Sequence, residues 1–196
     1  MQELIDWGRR IVQAGLDHSH YGNISKRAGD KILISATHSM LDCLENDIVE
    51  VPLAGSSSLD EKASMELPMH RAIYRDTDAQ VVIHGHTPYA VALSLMSEED
   101  YIEENTCECR YVLGRIPIID GAPASQELAE NAAKALKDAR GAIIRGHGPV
   151  VRGSDFKDAF VALASIEFTA QVKYLADLAK SHHADTESTE EKTQPH

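Results

Sequence analysis

Short apolar runs rich in β-branched residues recur along this chain, and they constrain its fold more than any other feature. Ile32-Leu33-Ile34, Ile48-Val49-Glu50-Val51, Val81-Val82-Ile83, Ile116-Pro117-Ile118-Ile119 and Ala142-Ile143-Ile144 are too short for helices. Their composition favours strands, several of them buried on both faces. Helical patterns lie around them. Residues 3–16 place Leu4, Trp7, Ile11 and Ala14 at helical spacing, with Ile5, Val12 and Leu16 widening the stripe, and this predicts an amphipathic helix that stops near Gly15. Ser64 is placed to cap a helix through Met69 and Ile73. Thr87 and Pro88 suit an N-cap and first turn before Ala90-Val91-Ala92-Leu93. Ser125 suits the cap of Glu127–Ala139, and Ser154 that of a long last helix reaching about Lys180, with Phe156, Phe160, Leu163 and Val172 toward a partner surface. Helices and strands mixed in this way give an α/β layered fold. The expectation is one domain over residues 1–180. Residues 181–196, SHHADTESTEEKTQPH, lose the apolar pattern and read as a mobile polar tail.

Composition excludes several function classes. A chain of 196 residues can bury a core without disulfides or a structural metal. Its 31 acidic and 19 basic side chains give a formal charge of −12, which disfavours binding to nucleic acid or to an anionic membrane face. No apolar run approaches the ~18 residues that span a bilayer. The segment MQELIDWGRR carries acids and two arginines where a signal peptide would be uniformly apolar. Three cysteines, Cys43, Cys107 and Cys109, are too few for a disulfide framework and point to a reducing, cytoplasmic setting.

The chemistry concentrates where apolar runs end in histidines. Val81-Val82-Ile83 runs into His84-Gly85-His86, and side chains at i and i+2 of a strand share a face. Two neutral imidazoles held together there suit a divalent metal. Ala142-Ile143-Ile144-Arg145 runs into Gly146-His147-Gly148, a third histidine at a strand end. Three histidines with one position open describe a catalytic zinc centre, and three unrelated polar caps are the weaker reading. His18, His20, His38 and His70 lack this context and read as surface or satisfied structural residues. A metal site that does chemistry needs a proton carrier, and Glu66, at the start of a helix, is the candidate. As a bare string its alternative is a favourable helix-dipole partner. Gly22-Asn23-Ile24-Ser25 reads as a turn able to bind an anion such as phosphate, or as a turn only.

Taken in order, Gly-Asn-Ile-Ser, Leu-Ile-Ser-Ala-Thr, Ser-Met-Glu-Leu-Pro-Met-His, His-Gly-His-Thr-Pro-Tyr-Ala and Arg-Gly-His-Gly resemble the class II aldolase/adducin family, from about residue 3 to residue 180. The resemblance implies a three-layer α/β/α sandwich around a mainly antiparallel sheet, assembled as a homotetramer. It implies zinc on His84, His86 and His147, with Glu66 as catalytic acid and base. Gly22 and Asn23 would line a phosphate pocket, with Ser35, Thr37 and Ser64 as further contacts. The implied activity is reversible cleavage of a small ketose phosphate, such as L-fuculose 1-phosphate, to dihydroxyacetone phosphate and an aldehyde such as L-lactaldehyde. Ribulose-phosphate 4-epimerase, methylthioribulose-phosphate dehydratase and decarboxylase activities use the same frame, and adducin-like interaction modules share it without the metal ligands. Two positions depart from the family pattern. Thr37-His38 stands where Thr/Ser-Gly is common, and Ser64-Met65-Glu66 where Ser-Ser-Glu is common. His38 then acts as a cation in the pocket, or the substrate lacks phosphate. A tyrosine is expected beside the aldehyde, from Tyr89, Tyr101, Tyr111 and Tyr174.

Overall fold

The computed structural model of the chain describes residues 1–18 and 20–191. The strands β1 (Asn23–Ala28), β2 (Lys31–Ser35), β3 (Ile48–Pro52), β4 (Val81–His84), β5 (Tyr101–Ile102), β6 (Ile116–Ile119), β7 (Gly141–Ile144) and β8 (Gly148–Gly153) form one sheet. Their order is β3-β2-β1-β4-β8-β7-β6-β5. Every neighbouring pair is antiparallel except β6 with β7. Among the described residues five α-helices cover it: α1 (Gln2–Gln13), α2 (Leu67–Asp76), α3 (Pro88–Met96), α4 (Gln126–Ala135) and α5 (Phe156–Glu191).

Strand alternation sorts the core into two layers. Val81 and Ile83 of β4, Ile143 of β7 and Val151 of β8 pack with apolar residues of α1, α3 and α5. Val82, Ala142, Ile144 and Val150 face the other way, against α2 and α4. The expected α/β/α sandwich with a mainly antiparallel sheet is what forms. All four residues of β4 and of β7 are buried, as strands covered on both faces require. Among the described residues no helix is long and apolar enough to cross a membrane.

Several local expectations change. Asn23, Ile24 and Ser25 are not a turn. They open β1, with Asn23 paired to His84 and Ser25 to Val82 in β4. Strands β1, β5 and β8 escape the apolar-run criterion because four of the six residues of β1 are polar, β5 is two residues long, and β8 is bounded by glycines. Ser64 does not cap α2: Glu66 stands at the N-cap, and the Ser64 hydroxyl accepts from the Glu66 N–H at 3.3 Å. Ser154 does not cap α5, because the Asp155 carboxylate accepts from the Asp158 N–H at 2.7 Å instead. Ser125 does cap α4, accepting from the Leu128 N–H at 3.0 Å. Helix α5 runs on to Glu191, through the first part of the segment read as a tail. Residues 181–191 contain no glycine or proline to stop it. The rest of that segment, 192–196, lies outside the described residues.

Candidate metal centre and acid–base pocket

Three stretches of backbone bring the site together at one end of the sheet. His84 ends β4 in the middle of the sheet, paired with Asn23 of β1 on one side and Val150 of β8 on the other. His86 follows two residues later, its N–H held by the buried Asp17 carboxylate at 3.3 Å. The same carboxylate accepts from Gly22 N–H at 3.3 Å, so Asp17 ties the start of β1 to the end of β4. Burial pushes Asp17 up to about 6. Beyond His86, the first N–H groups of α3 find no cap in Thr87. Glu167 of α5 accepts from Tyr89 N–H at 3.0 Å and Ala90 N–H at 2.9 Å.

His147 sits in the tight turn between β7 and β8. Its N–H donates to Ile144 at 3.0 Å, Gly146 N–H donates to the Ser94 hydroxyl at 3.0 Å, and Arg145 donates to the Ser94 and Ser97 carbonyls at 2.8 and 3.0 Å. Gly146 takes φ +68° and Gly148 φ +156°, which only glycine adopts freely. At Gly148 a Cβ would lie 2.3 Å from the Gly85 carbonyl oxygen. The two histidine-bearing stretches are therefore in direct backbone contact through glycines.

The result is a convergent donor set. His84 Nε2 lies 3.1 Å from His86 Nε2 and 3.3 Å from His147 Nε2. His84 is fully buried and donates Nδ1–H to the Pro149 carbonyl at 3.0 Å, which leaves the lone pair on Nε2. Burial, then His147 and His86, hold His84 well below the ordinary histidine range, and burial lowers His86 to about 4 and also lowers His147. All three are neutral near pH 7, the form in which imidazole binds metal. Nitrogens bound at 2.0–2.1 Å to a tetrahedral zinc stand about 3.3 Å apart. The observed separations match that spacing, so the residues fit a divalent cation, and three ligands leave a position open.

Beside them is a cavity of about 300 Å³ lined by His86, His147, Glu66, Gly22, Asn23, Thr37, Ser64, Met65, His38, Tyr21 and His20, among others. Glu66 is buried. Its Oε1 accepts from Ala124 N–H at 3.3 Å, while Oε2 has no hydrogen-bond partner among the described residues. Burial raises its pKa, so it holds a proton more readily than an exposed carboxylate. Ser35 does not line the cavity. It is buried behind it, its hydroxyl accepting from Ile24 N–H at 3.2 Å. His38 keeps a left-handed backbone at φ +61°, the conformation for which a glycine would be chosen, and directs a ring to the cavity wall. His70 is the satisfied structural residue of its two readings, buried with both ring nitrogens hydrogen-bonded.

Two site residues escape the sequence reading. Tyr21 lines the cavity, its ring 5.3 Å from that of His86, whereas none of Tyr89, Tyr101, Tyr111 and Tyr174 does. Its position next to Gly22-Asn23 is the signal that could have found it. Asp17 is the other, and no sequence pattern marks it.

The comparisons with known proteins agree with this fold. The model of the Class II Aldolase and Adducin N-terminal domain family matches residues 2–174. An L-fuculose phosphate aldolase of Methanococcus maripaludis is 35% identical over 162 residues, covering 81% of this chain and 87% of that protein. A 3-oxo-tetronate 4-phosphate decarboxylase of Cupriavidus necator is 32% identical over 177 residues, covering 87% of this chain and 82% of the relative. Among solved structures, the L-fuculose-1-phosphate aldolase of Thermus thermophilus superposes with a TM-score of 0.86 at 28% identity, over 92% of this chain and 95% of its own.

Proposed function

The chain belongs to the class II aldolase and adducin N-terminal domain family and is a carbon–carbon lyase of it; on that premise we propose that it reversibly cleaves a small ketose phosphate. L-fuculose 1-phosphate is the proposed substrate, dihydroxyacetone phosphate and L-lactaldehyde the products, and zinc the cation on His84, His86 and His147. The observation that carries this reading is the meeting, at one cavity, of three Nε2 atoms at metal-ligand spacing and a buried carboxylate oxygen without a partner among the described residues.

A divalent cation bound there supplies Lewis-acid polarisation of the ketose carbonyl and its neighbouring hydroxyl. The chain's own residues do the rest. Gly22, Asn23, Thr37 and Ser64 hold the phosphate end, with His38 on the same wall. Ala124 N–H fixes Glu66 Oε1, which leaves Oε2, unpaired among the described residues, to exchange the proton. In cleavage the hydroxyl that becomes the aldehyde carbonyl releases its proton to solvent as the carbon–carbon bond breaks, and Glu66 Oε2 delivers a proton to the carbon that loses its bond to the aldehyde; in synthesis both transfers reverse. Its raised proton affinity brings the group closer to working pH, which general acid–base catalysis favours. The proposal extends to a cytoplasmic homotetramer. The exposed Leu95, Met96 and Tyr111 offer apolar surface for such contacts.

The Cupriavidus relative supports a second reading, decarboxylation of a 3-oxo acid phosphate on the same cation. Product analysis separates the two. Zinc-loaded enzyme given L-fuculose 1-phosphate should release dihydroxyacetone phosphate, and a chelator should stop it. Carbon dioxide release from the oxo-acid phosphate, with no cleavage of the ketose phosphate, would replace the first reading by the second.

A further inference from the structure

Behind the cavity wall runs a buried polar chain that the reaction does not itself use. His70 Nε2 lies 2.5 Å from Asn23 Oδ1, His70 Nδ1 lies 2.6 Å from Ser25 Oγ, and Ser25 Oγ lies 2.7 Å from the Tyr74 hydroxyl. All four residues are buried. Two elements build it by their own periodicities. Asn23 and Ser25 share a face of β1 at i and i+2, and His70 and Tyr74 share a stripe of α2 at i and i+4. Glu66, one turn before His70, begins the same stripe.

The amide orientation in the structure, with Oδ1 toward the ring, gives the chain one direction. A side-chain carbonyl oxygen only accepts, so His70 Nε2 must carry the hydrogen it shares with Asn23 Oδ1. Complete burial keeps His70 neutral, its pKa lowered to about 3. Nδ1 therefore bears a lone pair, which the Ser25 hydroxyl fills by donating, and Ser25 in turn accepts from the Tyr74 hydroxyl. Hydrogens run from Tyr74 to Ser25 to His70, and His70 closes on Asn23. With Oδ1 held from behind, the Asn23 amide nitrogen is left with both N–H groups and no partner among the described residues, at a side chain that lines the cavity.

We propose that Tyr74, Ser25 and His70 are positioning residues that lock the Asn23 amide with its N–H donors facing the cavity, toward an acceptor oxygen of the bound substrate. A polar chain in a core costs desolvation that apolar side chains of the same volume would avoid. Its deep end is enclosed at Tyr74 and its other end opens only at the site. The same helix stripe that carries Glu66 thus also sets the polarity of the opposite wall. The identity of the substrate oxygen as phosphate rests on the proposed function, whereas the orientation of the amide does not.

Two measurements on the full-length, zinc-loaded protein test this. The first is a long-range proton–nitrogen spectrum of protein labelled with ¹⁵N-histidine, His70 being assigned by its loss in His70→Gln. The expected result is a single neutral Nε2–H ring from pH 5 to pH 8. An Nδ1–H tautomer or an imidazolium would overturn the proposal, with or without any aldolase activity. The second is calorimetric binding of dihydroxyacetone phosphate. Ser25→Ala should weaken it about tenfold or more, the loss of one hydrogen bond to an anion, with metal content unchanged. Ser25→Thr, which restores the hydroxyl, should recover most of the affinity. Wild-type affinity in Ser25→Ala alongside a loss in Asn23→Ala would show that Asn23 needs no such support and would overturn the proposal. If the wild type does not bind this ligand at all, the substrate assignment falls and the tautomer spectrum still decides the orientation.

Discussion

Replacing Gly148 by alanine strikes the contact that brings the two histidine stretches together. The residue sits at φ +156°, and an added Cβ would lie 2.3 Å from the Gly85 carbonyl oxygen and 3.2 Å from His86 Cα. Holding a non-glycine residue in that backbone region costs about 1–3 kcal/mol. Relieving the overlap against the Gly85–His86 backbone adds about 1–3 kcal/mol. The sum, roughly 2–6 kcal/mol, is a large part of the about 5–15 kcal/mol that holds a domain folded. At roughly 2–4 °C per kcal/mol for a chain of this size, the metal-free midpoint should fall by about 4–24 °C. Gly29→Ala is the comparison. That glycine has φ +66°, but nothing lies within 4 Å of its Cβ position, so only the left-handed backbone, about 1–2 kcal/mol, counts against it. Thermal unfolding followed by circular dichroism, with and without zinc, reads both. Zinc should raise the midpoint of wild type and Gly29→Ala, and raise that of Gly148→Ala much less, because the displaced atoms belong to Gly85 and His86. Equal midpoints and equal zinc responses in the two variants would refute the close approach.

What the sequence made legible follows from how local each signal is. The three histidines stood out because a strand end plus flanking glycines is written in consecutive residues, and the structure brings all three Nε2 atoms together. The buried strands β4, β6 and β7 were equally plain, since a strand covered on both faces must be apolar throughout. Strand β1 was not, because its Asn23, Ser25 and Lys26 are polar for separate reasons: Asn23 and Ser25 serve the buried chain to His70, and Lys26 pairs with Glu3. Asp17 and Glu167 act on backbone N–H groups tens of residues away, 69 from Asp17 to His86 and 78 from Glu167 to Tyr89. Contacts at such separations leave no periodic trace. His70 looked unremarkable for the same reason, its partners lying 45 and 47 residues off in β1.

Other outcomes are expected. Glu66→Gln should keep its metal and lose hydrogen exchange at the ketose carbon, read by deuterium incorporation into dihydroxyacetone phosphate; exchange at the native rate would remove Glu66 from the mechanism. His38→Gly should raise the unfolding midpoint, since relief of a left-handed non-glycine residue is worth about 1 kcal/mol, and a lowered midpoint would contradict that account of residue 38. Metal-free protein should lose stability as pH falls below about 6.5, the unfolded histidine value. Burial holds His70 at about 3 and His86 at about 4, so the folded state binds fewer protons and the loss continues to those values. Asp17, pushed up to about 6, works in the opposite sense as pH falls through 6 and offsets part of the loss. Urea midpoints that stay flat from pH 7 to pH 4.5 would contradict this balance.

The central claim is that His84, His86 and His147 hold one divalent cation. Metal analysis of the purified full-length protein, paired with X-ray absorption at the metal edge, tests it most directly. The account predicts about one metal per chain with three imidazole nitrogens at about 2.0–2.1 Å, and none retained in His84→Ala. Full metal content in that variant, or a wild-type spectrum without three imidazoles, would contradict it.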